Sequence, residues 1–278
     1  MKLSEMKQIL AERDLRLTRS LGQNFLHDGN QLRRMVAAAE LTGTDKVLEI
    51  GPGLGPLTEL LLCKAGAVLA IEKDLRLVEL IQERLCGARN LILHHDDALK
   101  FLQRESRDWS DWKLVANLPY SVASPILVEL AQARECPARL VVTLQLEVAQ
   151  RIVANPGGPD YGLLALLVQL RFQPQGRFKI PASCFFPAPE VDSTCVTLVR
   201  RPNPLLDRRQ TATFTQIARR AFSQRRKMMF KLLKGDWPEA RLAEAFNRLK
   251  LPPASRAEEA SLEQFVELTK LLEQNNGR

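Results

Sequence analysis

The sequence predicts an α/β fold, a parallel sheet with helices on both faces, followed by a small all-helical C-terminal domain. Short β-rich runs alternate with longer helical ones through the first two-thirds of the 278 residues, the pattern of parallel strands joined by right-handed crossovers. The alternation stops at Arg201-Pro-Asn-Pro204, after which only helical periodicity continues. A composition of 45% apolar and 26% charged residues can bury a core, which excludes disorder. The expected domains are therefore residues 1–200 and 201–278.

Lys46–Ile50 is an apolar run that ends in a Gly-rich turn, and Leu57–Lys64 continues with helical character. Ala67–Glu72 reads as a second buried strand, and Leu75–Leu85 follows with apolar residues at helical spacing. Leu91–His95, Lys113–Ala116 and Arg139–Leu144 supply the third, fourth and fifth strands. Asp192–Arg200 alternates with period two and is expected to end the sheet as a hairpin partner. Beyond residue 201, Phe214–Lys234, Pro238–Leu249 and Ser261–Glu273 read as helices.

No apolar run reaches the ~18 residues of a membrane-spanning helix; the longest candidate, around Leu163–Leu170, has the length of a core helix. Met1–Leu10 lacks the pattern of a secretory signal. Cys63, Cys86, Cys136, Cys184 and Cys195 are scattered, and with three His in the chain no metal site is expected. A reduced, soluble, cytoplasmic monomer is the expectation.

Charge is unevenly placed. Between Arg200 and Lys234 eleven Lys or Arg stand against one acid, Asp207, a surplus of ten in a chain whose net charge is +8. Such a cluster attracts a polyanion at long range and holds phosphates at contact; a solvated helix face without a partner is the bland reading.

Glu49-Ile-Gly-Pro-Gly-Leu-Gly55 follows the first strand and opens a helix. Gly51 and Gly53 there permit a tight turn and a close backbone approach to a ligand. Glu72 ends the second strand 21 positions beyond Gly51, where an acid accepts hydrogen bonds from the ribose of an adenosine-containing ligand. The third strand ends in His95-Asp96-Asp97-Ala98. A carboxylate there can reach the exocyclic amine of an adenine; Asp96 and Asp97 are both candidates, and an ordinary helix N-cap is the alternative for Asp97. The chain has no G-x-x-x-x-G-K-[ST] loop, so a nucleoside triphosphate lacks its cradle. S-adenosylmethionine, with ribose and adenine but no phosphate, suits these residues.

Asn117-Leu-Pro-Tyr120 follows the fourth strand directly. The lone pair of an adenine N6 is delocalised into the ring, so the amine is a poor nucleophile. Acceptors aimed at its two N–H groups, the Asn117 side-chain oxygen and the Leu118 carbonyl, draw the nitrogen toward tetrahedral geometry. Pro119 stiffens the turn, and Tyr120 offers a ring for an extruded base to stack on. Catalysis of this kind rests on positioning rather than on a strong base. A structural Asn-Pro turn is the alternative.

These residues resemble the ribosomal-RNA adenine N6,N6-dimethyltransferases of the small subunit. The likeness runs through Leu21-Gly-Gln-Asn-Phe-Leu26, Glu49–Gly55, Ile71-Glu72, Asp97-Ala98, Asn117–Tyr120, Phe185-Phe-Pro-Ala-Pro-Glu-Val-Asp-Ser193 and Ala221-Phe-Ser-Gln-Arg-Arg-Lys227. The resemblance implies a Rossmann-like class I S-adenosylmethionine-dependent methyltransferase sheet with a helical rRNA-binding domain. It implies cofactor contacts from Asn24, Leu26, Gly51, Gly53, Glu72, Asp97 and Asn117, and transfer of four methyl groups to two adjacent adenines in a hairpin loop near the rRNA 3′ end during subunit assembly. Phe185 is expected opposite Tyr120 around the target base, with core packing as its alternative. Arg219, Arg220, Arg225, Arg226 and Lys227 are expected on rRNA phosphates, which position a substrate without reading its sequence.

Trp109 and Trp112 are expected to pack on the surface, and Cys184 to be a small buried residue. The competing functions are methylation of a single large-subunit adenine with antibiotic resistance, a noncatalytic rRNA-binding assembly factor on the same fold, and DNA adenine methylation.

Overall fold

The structure, a computed structural model, describes residues 1–15, 23–104 and 107–273. Leu21 and Gly22 of the N-terminal motif lie outside them. In chain order the elements are α1 (Leu3–Glu12), β1 (Phe25–Leu26), α2 (Gly29–Ala38), β2 (Lys46–Ile50), α3 (Pro56–Leu62), β3 (Ala67–Glu72), α4 (Leu75–Arg84), β4 (Leu91–His95), α5 (Ala98–Arg104), β5 (Trp112–Asn117), α6 (Ala123–Gln132), β6 (Arg139–Gln145) and α7 (Leu146–Ile152). They continue as α8 (Leu163–Gln169), β7 (Phe172–Ile180), β8 (Phe185–Phe186), β9 (Ser193–Arg200), α9 (Arg208–Ala221), α10 (Met229–Leu233), α11 (Glu239–Arg248) and α12 (Leu262–Glu273).

The main sheet runs β4-β3-β2-β5-β6-β9-β7. Strands β2 to β6 pair in parallel. Their central residues (Val47-Leu48, Val68–Ile71, Leu114–Ala116, Leu140–Val142) are buried, as befits strands covered on both faces. The order turns back between β2 and β5, so the carboxyl ends of these two strands flank the crevice where sheets of this type hold ligands. Gly51 and Asn117 sit at those two ends.

Three sequence expectations are corrected. Strand β9 pairs antiparallel with β6, Leu140 opposite Leu198, but it does not end the sheet, because β7 lies beyond it. β7 buries only its ends, Phe172 and Ile180, and carries Pro174, Gly176 and polar residues between them, features of an edge strand. Trp109 and Trp112 are buried, packed edge to face with ring centroids 5.4 Å apart, rather than on the surface. The single helix expected over Phe214–Lys234 is two, α9 and α10, and α9 starts earlier. Asp207 caps it: its carboxylate accepts from Gln210 N at 2.8 Å, and Gln210 Oε1 accepts from Asp207 N at 3.1 Å. At the other end Ser223 Oγ donates to the Arg220 carbonyl at 2.8 Å. That competes with a further helical turn.

The chain forms two compact units, Met1–Ala149 with Gln173–Arg200, and Gln150–Phe172 with Arg201–Arg278. Residues 150–172 therefore go with the helical unit, whereas the boundary read from the sequence leaves them with the sheet. In the first unit one core joins Leu26, Met35, Val47, Leu61, Val115, Val141, Phe185 and Cys195. A second joins α1 to β1, the glycine turn and α4 through Met6, Leu10, Phe25, Leu54, Leu77 and Leu80. The helical unit is centred on aromatic contacts of Phe222 with Tyr161 and Phe265, and of Phe214 with Phe265.

Candidate active site

After β2 the chain turns through Gly51 at φ +69° and Gly53 at φ +62°, a conformation that side chains resist. A Cβ on Gly51 would meet the Pro119 ring at 3.3 Å, and one on Gly53 would lie 2.6 Å from the Phe25 ring. The turn is thus closed by Pro119 from one side and Phe25 from the other. Gly53 N–H donates to Glu72 Oε2 at 3.1 Å.

Glu72, at the end of β3, also accepts through Oε1 from Lys73 N at 2.8 Å and Asp74 N at 2.9 Å. Burial raises its carboxyl above the usual range, opposed by these three N–H donors and aided by the Asp74 charge. Each carboxylate oxygen has two lone pairs, so Oε2 retains room for a hydroxyl donor. Asp97 caps α5, its Oδ1 accepting from Leu99 N at 3.1 Å and Lys100 N at 3.2 Å, while Oδ2 takes Lys73 Nζ at 2.7 Å. The Lys73 ammonium holds the Asp97 carboxyl below its usual value. Asp96 is paired with Arg104 and accepts from Asp97 N at 2.8 Å. The helix-cap reading and the cavity-wall reading of Asp97 hold together.

Asn117 ends β5. Its Nδ2 donates to the Asn24 carbonyl at 2.9 Å, and its Oδ1 is buried with no hydrogen-bond partner. Tyr120 is half-buried, with its hydroxyl 2.6 Å from Ser193 Oγ; burial pushes the phenol up.

One cavity gathers most of the expected residues: Asn24, Gly51, Gly53, Glu72, Asp97, Asn117 and Pro119 all line it, as does Asp96. Leu26, Leu118, Tyr120 and Phe185 are not on its wall. Leu118 is 1% exposed, leaving its main chain as the part that can serve a ligand. Leu26 pairs with Phe185 between β1 and β8, and both side chains sit in the hydrophobic core. The stacking role expected for Phe185 is corrected accordingly: its ring is 3% exposed and packed among aliphatic side chains. Phe186, its neighbour, is partly buried beside α1 under Lys7, whose Nζ lies 5.3 Å from the ring centroid. Sequence reading misses Gln23, Phe25, Lys73, Ser121 and Val122 on the wall. Phe25 stands within the N-terminal motif and Lys73 directly after Glu72, which are the available signals.

In the helical unit Arg219, Arg220, Arg225, Arg226 and Lys227 are all exposed. Arg220 is tied down, its Nε donating to the Leu232 carbonyl at 2.9 Å and lying 3.1 Å from Asp236 Oδ2. Arg225 donates to the Pro159 carbonyl at 3.3 Å. Cys184 is buried, as expected. No group of three metal-ligating side chains occurs among the described residues, and no helix among them is long and apolar enough to cross a membrane.

Residues 15–274 match the family model of ribosomal RNA adenine dimethylase. Over 275 residues the chain is 38% identical to ribosomal RNA small subunit methyltransferase A of Moorella thermoacetica, covering 95% of this chain and 96% of that one. With the protein of the same description from Pelotomaculum thermopropionicum it shares 39% over 277 residues, 95% and 94% of the two chains. Among solved structures it is similar to a dimethyladenosine transferase from Plasmodium falciparum, with TM-score 0.75, 25% identity and coverage of 88% and 95%. It is also similar to the 23S rRNA methyltransferase ErmE, with TM-score 0.70, 28% identity and coverage of 90% and 100%.

Proposed function

Because the chain belongs to the ribosomal RNA adenine dimethylase family, we propose that it transfers methyl groups from S-adenosylmethionine to N6 of two adjacent adenines. These lie in the 3′-terminal hairpin loop of small-subunit (16S) rRNA, and the products are N6,N6-dimethyladenosines made during small-subunit biogenesis. The cytoplasm is where such a substrate is met. The observation that carries the reading is Asn117: a partly buried amide whose nitrogen is engaged by Asn24 and whose buried oxygen is left without a donor. An unmet buried acceptor costs about 1–3 kcal/mol, and an amine N–H is the group that would satisfy it.

The cofactor residues fit the group the family implies. Glu72 has acceptor capacity for ribose hydroxyls and Asp97 for an adenine amine, and the glycine turn leaves no Cβ between them and Asn117. S-Adenosylmethionine, when bound, supplies an electrophilic methyl group. Asn117 Oδ1 and the Leu118 carbonyl would accept hydrogen bonds from the two N–H groups of the target amine and orient its lone pair. Pro119 holds these acceptors at a set spacing against Gly51, and Tyr120, braced by Ser193, would stack on the extruded base. No strong base is required, because the target nitrogen attacks as a neutral amine and loses its proton to solvent after the methyl group has left the sulfonium. Exposed Arg219, Arg226 and Lys227 would hold rRNA phosphates. Thus residues 1–149 and 173–200 would carry methyl transfer, and 201–278 the rRNA contacts.

Incubation of undermethylated small subunits with labelled S-adenosylmethionine, followed by nucleoside analysis, should give N6,N6-dimethyladenosine. Asn117→Ala should lower the rate on the order of 100-fold, the loss typical when one preorganised polar partner of a transition state is removed. Wild-type rate in that variant would refute the acceptor role. Product formed on large subunits alone would instead favour the reading suggested by the likeness to ErmE.

A further inference from the structure

We propose that Lys73 is a positioning residue that sets the spacing of the two carboxylates holding the adenosine half of S-adenosylmethionine, an inference that rests on the reading above. One residue touches both acids. The Lys73 main-chain N–H donates to Glu72 Oε1 at 2.8 Å, and its side-chain ammonium donates to Asp97 Oδ2 at 2.7 Å. Its carbonyl lies 3.2 Å from His95 Nε2, at the end of the strand that leads into Asp97. Glu72, Lys73 and Asp97 line the same cavity wall. The distance from ribose acceptor to adenine acceptor is therefore set through Lys73.

The same geometry chooses between the adjacent acids. Arg104, which pairs with Asp96, is not on the cavity wall, and the other Asp96 oxygen takes the Asp97 N–H. Asp97 is instead anchored at one oxygen by the first turn of α5 and at the other by a wall residue. Oδ2 accepts from the Lys73 ammonium, and a carboxylate oxygen has capacity for two donors; the second position suits an exocyclic amine. Asp97 is thus the adenine acceptor, and Lys73 keeps it ionised and aimed. The bland alternative is an ornamental surface pair. With the lysine side chain 59% exposed, such a pair adds little to folding, so its removal should register in ligand binding and not in stability.

The test is a double-mutant cycle read by titration calorimetry with S-adenosylhomocysteine. Lys73→Met should weaken binding by about 3- to 10-fold, the range of one charge-assisted contact near a surface, with an unchanged melting temperature. Lys73→Arg should restore most of the affinity. In an Asp97→Asn background Lys73→Met should cost nothing further, because its effect passes through that carboxylate. The wild type should prefer the adenine ligand over S-inosylhomocysteine, whose exocyclic C6 oxygen would face the carboxylate, and Lys73→Met should narrow that preference. Unaltered affinity in Lys73→Met, or a penalty that persists in full beside Asp97→Asn, would overturn the proposal. A wild type that binds no S-adenosylhomocysteine would overturn the functional reading itself.

Discussion

Glu49 is fully buried two residues before Gly51, with Oε2 lacking a partner. Burial, reinforced by the Glu72 charge, pushes its carboxyl to about 8. The folded chain thus keeps a proton that the unfolded chain releases above the ordinary value of 4.5. Stability from this group is complete below that value and is lost as pH rises to about 8. Glu49→Gln should therefore gain on the wild type in thermal unfolding between about pH 5 and about pH 8 and level off above; a gap independent of pH would contradict this. The sequence marks Glu49 only as the start of the glycine turn, because burial depends on neighbours from other strands. Asn117 is legible for the opposite reason: its role follows from its chemistry and its place at a strand end. For Phe185 the motif is visible in the sequence, but which of two adjacent rings turns inward is settled by the pairing of β1 with β8.

Strands β2, β3, β5 and β6 can be read from the chain because fully buried strands are continuous apolar runs, and β4, at one edge of the sheet, because Leu91-Ile-Leu93 is still an apolar run. The other edge strand, β7, has no such run: Pro174, Gly176 and polar residues fill its middle, and it escapes sequence reading for that reason. The turn before β5 is misread similarly. Trp109 lies among polar and charged residues, yet Trp112 and the Arg107 guanidinium, 5.4 Å from the Trp109 ring centroid, enclose it at 2% exposure. Trp109→Ala should cost about 3–5 kcal/mol, the usual loss for a buried large aromatic, measured by denaturant unfolding. A loss below about 1 kcal/mol would mean the ring is dispensable, as a surface position would be.

Across the whole molecule, the surplus of ten cations between Arg200 and Lys234 is plain from the sequence, since composition needs no fold to be counted. Which of them are available is not. All four of Arg220, Arg225, Arg226 and Lys227 are exposed, and of these Arg220 and Arg225 also hold partners within their own unit. Reversing Arg226 and Lys227 together to Glu should weaken rRNA binding and reduce the salt slope by about one for each phosphate no longer held. S-Adenosylhomocysteine affinity should stay unchanged; an unaltered salt slope would remove these two side chains from the interface. The helical unit is also discontinuous, drawing α8 from between the strands β6 and β7. α8 carries buried Leu164, Leu166 and Val168 and packs against α9, which begins 39 positions after α8 ends. At translation rates of about 5–20 residues per second the newborn α8 waits about 2–8 seconds for that partner. This interval of greasy exposure makes the nascent chain, rather than the finished enzyme, the stage at which a chaperone has something to hold.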